Sequence, residues 1–123
     1  MTELQEKQII FSKYLAFLLE EFWNHHITLG EAWRSPETCA LYAKEGKGIA
    51  HSNHDIRLAI DLNVIDSSGN LSTDKKDYQV LAASWKEFPV RYPDIITVVP
   101  SWGGDFTSLC DFYHFSFEHN GVR

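Results

Sequence analysis

The stretch Leu58-Ala59-Ile60-Asp61-Leu62-Asn63-Val64 decides how the chain is read. Leu58, Ile60, Leu62 and Val64 share one parity, and Ala59, Asp61 and Asn63 share the other. Successive side chains of a strand point to opposite faces, so this period of two predicts a strand with one apolar and one polar face. Asp66-Ser67-Ser68-Gly69-Asn70 closes it as a turn, and Lys47 to Asn53, with Gly48 inside, reads as the loop before it.

Working outward, residues 3 to 25 read as a helix. Phe11, Leu15, Leu18 and Phe22 fall four, three and four apart and form one apolar stripe. Glu3, Glu6, Lys7, Lys13, Glu20 and Glu21 are expected on the other faces. Ile27-Thr28-Leu29 is a short strand leading to Gly30. Ser35-Pro36-Glu37 carries the marks of a helix start, with Ser as cap and Pro in the first turn, and predicts a helix to about Lys44 that ends at Gly46. Tyr78, Leu81, Ala82, Trp85 and Phe88 predict a third helix, stopped by Pro89 or Pro93. Ile95 to Val99 and Tyr113 to Phe117 read as the remaining strands. The order of elements predicts one α+β domain over residues 1–123, a small antiparallel sheet with helices packed on one side.

Composition narrows the function. Hydrophobic residues make up 44% of the 123 and aromatics 14%, enough for a globular core and too much for a disordered chain. The formal net charge of -6 disfavours nucleic acid as a partner, since phosphate binding needs clustered Lys and Arg. No apolar run reaches the roughly 18 residues of a membrane span. Met1-Thr2-Glu3-Leu4-Gln5-Glu6-Lys7 has none of the features of a secretory signal, so synthesis in the cytoplasm is expected. Cys39 and Cys110 are then expected to be reduced core thiols.

Two segments carry candidate chemistry: Ser52-Asn53-His54-Asp55-Ile56-Arg57-Leu58-Ala59-Ile60-Asp61 and Asp111-Phe112-Tyr113-His114-Phe115. Hydrolytic zinc sites use three nitrogen or oxygen ligands and keep a fourth position open. His54 before the strand, Asp61 on its polar face and His114 on a later strand can supply such a set. Asp111, three residues before His114, suits a general base. Spacing alone leaves the plainer reading open, with isolated histidines and a solvated carboxylate.

Ser52-x-His54-x-x-x-x-Ala59-x-Asp61 resembles the Ser-x-His-x-x-Gly-x-Ala-x-Asp signature of the M15 peptidases, and Asp111-x-x-His114 resembles their second signature. Trp102-Gly103-Gly104-Asp105-Phe106 is similar to the Trp-Gly-Gly stretch that precedes it. Trp33-Arg34-Ser35-Pro36-Glu37 is similar to the Tyr-Arg-Thr/Ser-Pro-Glu segment at the family's substrate site. The four segments keep the family's order over roughly residues 28 to 118.

The resemblance implies a hedgehog/D-Ala-D-Ala peptidase-like fold and one zinc ion on His54, Asp61 and His114. It implies Asp111 as the base, Arg34 on a substrate carboxylate or the oxyanion, and Ser52 as a supporting substrate-side residue. The implied substrate is the stem peptide of peptidoglycan. The phage endolysin branch, cutting L-Ala-D-Glu, fits best, as a monomer released to the cell wall by a holin or by lysis. A D-Ala-D-Ala carboxypeptidase or dipeptidase and a non-catalytic zinc module of the same fold are the alternatives. Two positions depart from the pattern: Arg57 stands at the signature Gly, and Ser116 stands where Glu often follows His-Phe.

Other residues are read plainly. His25 and His26 suit the first helix's C-terminal dipole. His51 and His119 are expected at the surface, Trp23, Trp33 and Trp85 in the core, and Lys44, Lys47, Lys75 and Lys76 in solvent. Trp102, beside the Gly-Gly turn, is left open between core and site.

Overall fold

The computed structural model describes residues 1–33, 37, 41, 44, 53–95, 98–107 and 110–123. Helix α1 spans Glu3–Glu21, strand β1 Ile27–Leu29, and strand β2 Ala59–Val64. Helix α2 covers Lys75–Lys86 and the short helix α3 Phe88–Arg91. Strand β3 is Pro100–Trp102, a 3-10 turn covers Gly103–Asp105, and strand β4 is His114–Phe117. The four strands form one sheet in the order β1-β2-β4-β3, and every pairing is antiparallel. This is the expected α+β architecture with a small antiparallel sheet.

The two faces of the sheet divide the work. Leu58, Ile60, Leu62 and Val64 are buried in the core, as their alternation demands. Phe115 and Phe117 of β4 join them, because Ile60 pairs directly with Phe115. Phe11 of α1 meets the Trp85 and Phe117 rings edge-on at 5.5 and 5.2 Å, and Trp85 stacks on Phe117 at 5.1 Å. The Trp85 indole N–H donates to the Ser116 carbonyl at 3.1 Å, so its burial leaves no polar group unpaired. Truncating Trp85 to Ala is expected to cost about 3–5 kcal/mol. On the opposite parity, Ala59 pairs with Ser116 and Asp61 with His114.

Several expectations are corrected. Helix α1 stops at Glu21 with Phe22 as its cap, four residues short of the expected end. His25 and His26 therefore lie beyond the last turn, exposed. α1 starts with a capping box between Thr2 and Gln5, and its buried stripe is Lys7, Phe11, Tyr14 and Leu18. Lys7 is thus not on a solvated face. Its ammonium reaches the Glu118 carbonyl at 3.4 Å and His119 Nδ1 at 3.2 Å, so the stem lies inside while the charge is spent on the C-terminal segment. His119 is accordingly half-buried.

Trp23 and Trp33 are 78% and 48% exposed, and only Trp85 of the three is core. Trp102 is buried. Cys110 is an exposed free thiol, not a core one, and Cys39 lies outside the described residues.

The expected strand at Ile95 to Val99 is displaced. Ile95, Val98 and Val99 are not in a strand, residues 96–97 lie outside the described set, and the ladder runs through Pro100–Trp102. The Ile95 N–H turns back onto the Tyr92 carbonyl, which delays the strand. Pro100, lacking an N–H, is tolerated because β3 is an edge strand. For the helix expected at Ser35 to Lys44, Glu37, Leu41 and Lys44 are helical, and the residues between them lie outside the described set. Pro89 does not simply stop α2: it sits in the first turn of α3. Among the described residues no helix is long and apolar enough to cross a membrane.

Candidate metal centre

His54, Asp61 and His114 come together at one point, with one ligand-type atom from each lying within 4.8 Å of the others. Three local structures put them there. Asp61 and His114 are direct cross-strand partners on the non-core face of β2 and β4, and paired residues on one face hold their Cβ atoms about 5 Å apart. His54 arrives from the tight turn that feeds β2. In that turn the Leu58 N–H bonds the Asn53 carbonyl at 2.8 Å and the Arg57 N–H bonds the His54 carbonyl at 3.3 Å. These nested bonds make a Schellman-type closure, whose penultimate residue must be left-handed. Arg57 has φ 58° and fills that place.

The atoms match a small cation. His54 Nε2 lies 3.2 Å from His114 Nδ1 and 3.4 Å from Asp61 Oδ1, and His114 Nδ1 lies 4.0 Å from Asp61 Oδ1. Around a tetrahedral ion with bonds of about 2.1 Å, ligand atoms stand about 3.4 Å apart. His54 Nδ1 lies 3.2 Å from the Ala32 carbonyl, which can only accept, so Nδ1 carries the proton and Nε2 presents a lone pair inward. Asp61 Oδ1 is buried and receives no hydrogen bond among the described residues. Buried acceptors facing one another are costly without a positive charge between them. Two imidazole nitrogens and one carboxylate oxygen are a donor set that zinc accepts in hydrolases. His54 and His114 are nine-tenths or more buried, while Asp61 is half-buried.

A family model described as D-alanyl-D-alanine carboxypeptidase matches residues 45–117, more than half of the chain. The chain belongs to the M15 peptidase family. Among solved structures it is similar to the L-Ala D-Glu endopeptidase ChiX of Serratia marcescens. The TM-score is 0.59 and the identity 21%, over 76% of this chain and 68% of that one. At that identity the likeness establishes the shared fold. No curated protein sequence matches.

The departure at Arg57 has a local explanation, and nothing in the structure explains the one at Ser116. The M15 signature Gly coincides with the left-handed closing position of the His54 turn, which is where glycine is usual. Arg57 accepts a left-handed backbone at a cost of about 1 kcal/mol. Ser116, on the same face as His114, is fully buried, and its hydroxyl finds no partner among the described residues.

Asp111 lies on the exposed turn just before β4. Its N–H donates to the Gly103 carbonyl at 3.0 Å, its carbonyl accepts from His114 N–H at 3.1 Å, and its Oδ1 accepts from Tyr113 N–H at 3.2 Å. Arg34 and Ser52 lie outside the described residues.

Four residues support the site in ways that the sequence does not assign to them. A Cβ on Gly103 would stand 2.0 Å from the Asp111 carbonyl and 2.9 Å from His114 Cβ, so glycine lets the 3-10 turn press against the Asp111–His114 turn. The Trp102 indole donates to the Phe112 carbonyl at 2.8 Å and ties down the same turn. A Cβ on Gly30 would stand 3.0 Å from Asp61 Cβ, where the Gly30 N–H meets the Asp61 carbonyl at 2.7 Å. The buried Asn53 amide donates to the Phe117 and Val122 carbonyls at 2.8 and 2.7 Å and anchors the His54 turn to the end of β4. The signals were there in the Trp-Gly-Gly stretch and in a lone Asn beside the first histidine, but neither reveals its partner.

Proposed function

We propose that this M15 peptidase holds one zinc ion through His54 Nε2, Asp61 Oδ1 and His114 Nδ1 and hydrolyses the L-Ala-D-Glu bond of the peptidoglycan stem peptide. The observation that carries the reading is the convergence of those three atoms, from two strands and a turn, to within 4.8 Å. Zinc bound there supplies Lewis-acid polarisation of the scissile carbonyl and lowers the pKa of water to about 7. The rest of the chemistry belongs to the chain. Ala32 fixes the His54 ring through Nδ1, as outer partners of ligating histidines do. Asp111 takes the proton of the attacking water and passes it to the leaving amine. Its orientation is held through Oδ1 by the Tyr113 N–H. Arg34 stabilises the developing oxyanion, a contact worth about 3 kcal/mol in the barrier, and Ser52 is a supporting substrate-side residue.

The L-Ala-D-Glu bond is favoured over D-Ala-D-Ala by the fold likeness to ChiX, an L-Ala D-Glu endopeptidase. The second reading, D-Ala-D-Ala carboxypeptidase, rests on the description of the family model. In the phage endolysin setting the enzyme acts as a monomer on the cell wall once a holin or lysis opens the membrane. The test is digestion of purified peptidoglycan with mass spectrometry of the fragments. New L-Ala carboxyl and D-Glu amino termini support the proposal. Release of D-Ala supports the second reading, and no new termini from a zinc-loaded protein point to a non-catalytic module.

A further inference from the structure

An open, mostly apolar groove of about 370 Å³ runs between α1 and the start of β2. Phe11, Leu15, Ala32, Trp33, Arg57 and Ala59 are among the residues that line it. His54, Asp61 and His114 are not in its lining, but two of its lining residues adjoin them. Ala32 supplies the carbonyl that holds His54, and Ala59 precedes Asp61 by two residues on the same strand face. Among the described residues that line the groove, Arg57 is the sole charged one.

Three observations single out Arg57. It holds a left-handed backbone, φ 58°, at a turn position that glycine fills without strain. Strain of this kind gathers where a side chain is needed for function. Its guanidinium lies 5.0 Å from the centre of the half-exposed Trp33 ring. The Trp33 indole N–H donates to the Asp55 carbonyl at 3.0 Å, so the platform beneath the guanidinium is itself fixed. No carboxylate among the described residues pairs with Arg57, although the chain as a whole is acidic, at -6.

We infer that Arg57, aligned on Trp33, is a substrate-binding residue that takes a carboxylate of an acidic peptide lying in this groove and so determines specificity at the metal centre. The inference rests on the proposed peptidase reading for the identity of the ligand. In an L-Ala-D-Glu substrate the D-glutamyl residue brings a carboxylate one carbon from the scissile nitrogen. A planar guanidinium placed over an indole can still present its N–H fork for bidentate contact with such a group. Arg34 is then left for the oxyanion.

The experiment compares two peptides containing the L-Ala-D-Glu bond, one with the free glutamyl carboxylate and one with its carboxamide. Binding is followed by tryptophan fluorescence and cleavage by mass spectrometry. Wild type, Arg57→Gly and Arg57→Lys are used; Arg57→Gly keeps the turn, because glycine adopts φ 58° freely. Wild type is expected to bind the carboxylate peptide about 10- to 100-fold more tightly than the amide. Arg57→Gly is expected to lose that preference in both binding and cleavage, and Arg57→Lys to recover part of it. A wild type that does not distinguish the two peptides overturns the inference, as does an Arg57→Gly variant weakened equally on both. Carboxylate-selective binding without cleavage contradicts the peptidase reading and leaves the role of Arg57 supported.

Discussion

Asp61 on β2 and His114 on β4 face each other as direct cross-strand partners, one register step from the Ile60–Phe115 pair that belongs to the core. The same hydrogen-bonded ladder therefore fixes the core and the candidate ligands. A one-residue slip of β2 would turn Asp61 inward and Ile60 outward, so the geometry of the site is protected by the hydrophobic effect. Replacing Asp61 with Asn keeps the register and the shape while removing the charge. Asp61→Asn is expected to retain the wild-type thermal midpoint in the presence of chelator and to lose at least about 100-fold in zinc affinity by competition titration. Unchanged affinity would remove Asp61 from the ligand set.

Asp111 is tied into its turn by backbone bonds that do not need its side chain. Asp111→Ala is accordingly expected to keep one zinc per chain and to lose about 10²- to 10⁴-fold in turnover, the range of general acid–base catalysis. Wild-type hydrolysis by this variant would show that the proton goes elsewhere.

Gly103 offers a test of how the site is supported. An added methyl would collide with the Asp111 carbonyl and His114 Cβ, and neither belongs to a flexible chain end. Gly103→Ala is expected to destabilise the fold by about 2–4 kcal/mol in urea and to weaken zinc binding as well. Gly69, which has open space around the position of a Cβ but φ 83°, is the control: Gly69→Ala is expected to cost about 1 kcal/mol and leave zinc affinity alone.

The legible part of this molecule is periodic and the illegible part is relational. The alternation from Leu58 to Val64 predicts both the strand and the placement of Asp61 on its non-core face, because a period of two has one solution in a sheet with one buried face. The stripe on α1 is found in part by its helical period: Phe11 and Leu18 are buried, Leu15 and Phe22 are partly buried, and Tyr14 and Lys7 complete the buried face, although Lys7 reads as solvent-facing. Besides the neighbouring Glu3 carboxylate at 3.4 Å, its partners are the Glu118 carbonyl and His119, 111 and 112 residues away. Trp23 and Trp33 mislead because residue type carries the expectation of burial, whereas both lie past the ends of the elements that could cover them. The strand expected at Ile95 to Val99 is apolar enough, but the turn at Tyr92–Ile95 delays the ladder to Pro100. At the site, the three ligand candidates are found by motif. Gly30, Asn53 and Gly103 escape because what each does is make room for, or hold, a backbone far along the chain.

A polar cluster away from the site contributes to the pH dependence of stability. The Ser84 hydroxyl donates to Glu21 and, with the Arg91 guanidinium at 2.9 Å, holds that carboxyl below its usual 4.5. The Tyr14 hydroxyl donates to the Ser84 carbonyl at 2.6 Å, and burial pushes it up to about 12. A depressed carboxyl contributes stability above its unfolded pKa and loses it as pH falls through the folded value. A raised phenol contributes below 10 and loses it as pH climbs from 10 toward 12. The stability deficit of Glu21→Gln relative to wild type is therefore expected to be full at pH 7 and to shrink below about pH 4.5. That of Tyr14→Phe is expected to shrink only above pH 10. Urea melts across pH read both, and a Glu21→Gln deficit that stays constant down to pH 2 would contradict the first.

The most direct test is a crystal grown with one equivalent of zinc and measured at the zinc absorption edge. One anomalous peak is expected, about 2.0–2.2 Å from His54 Nε2, His114 Nδ1 and an Asp61 carboxylate oxygen. A peak on other residues, with these three side chains left as they are, would contradict it.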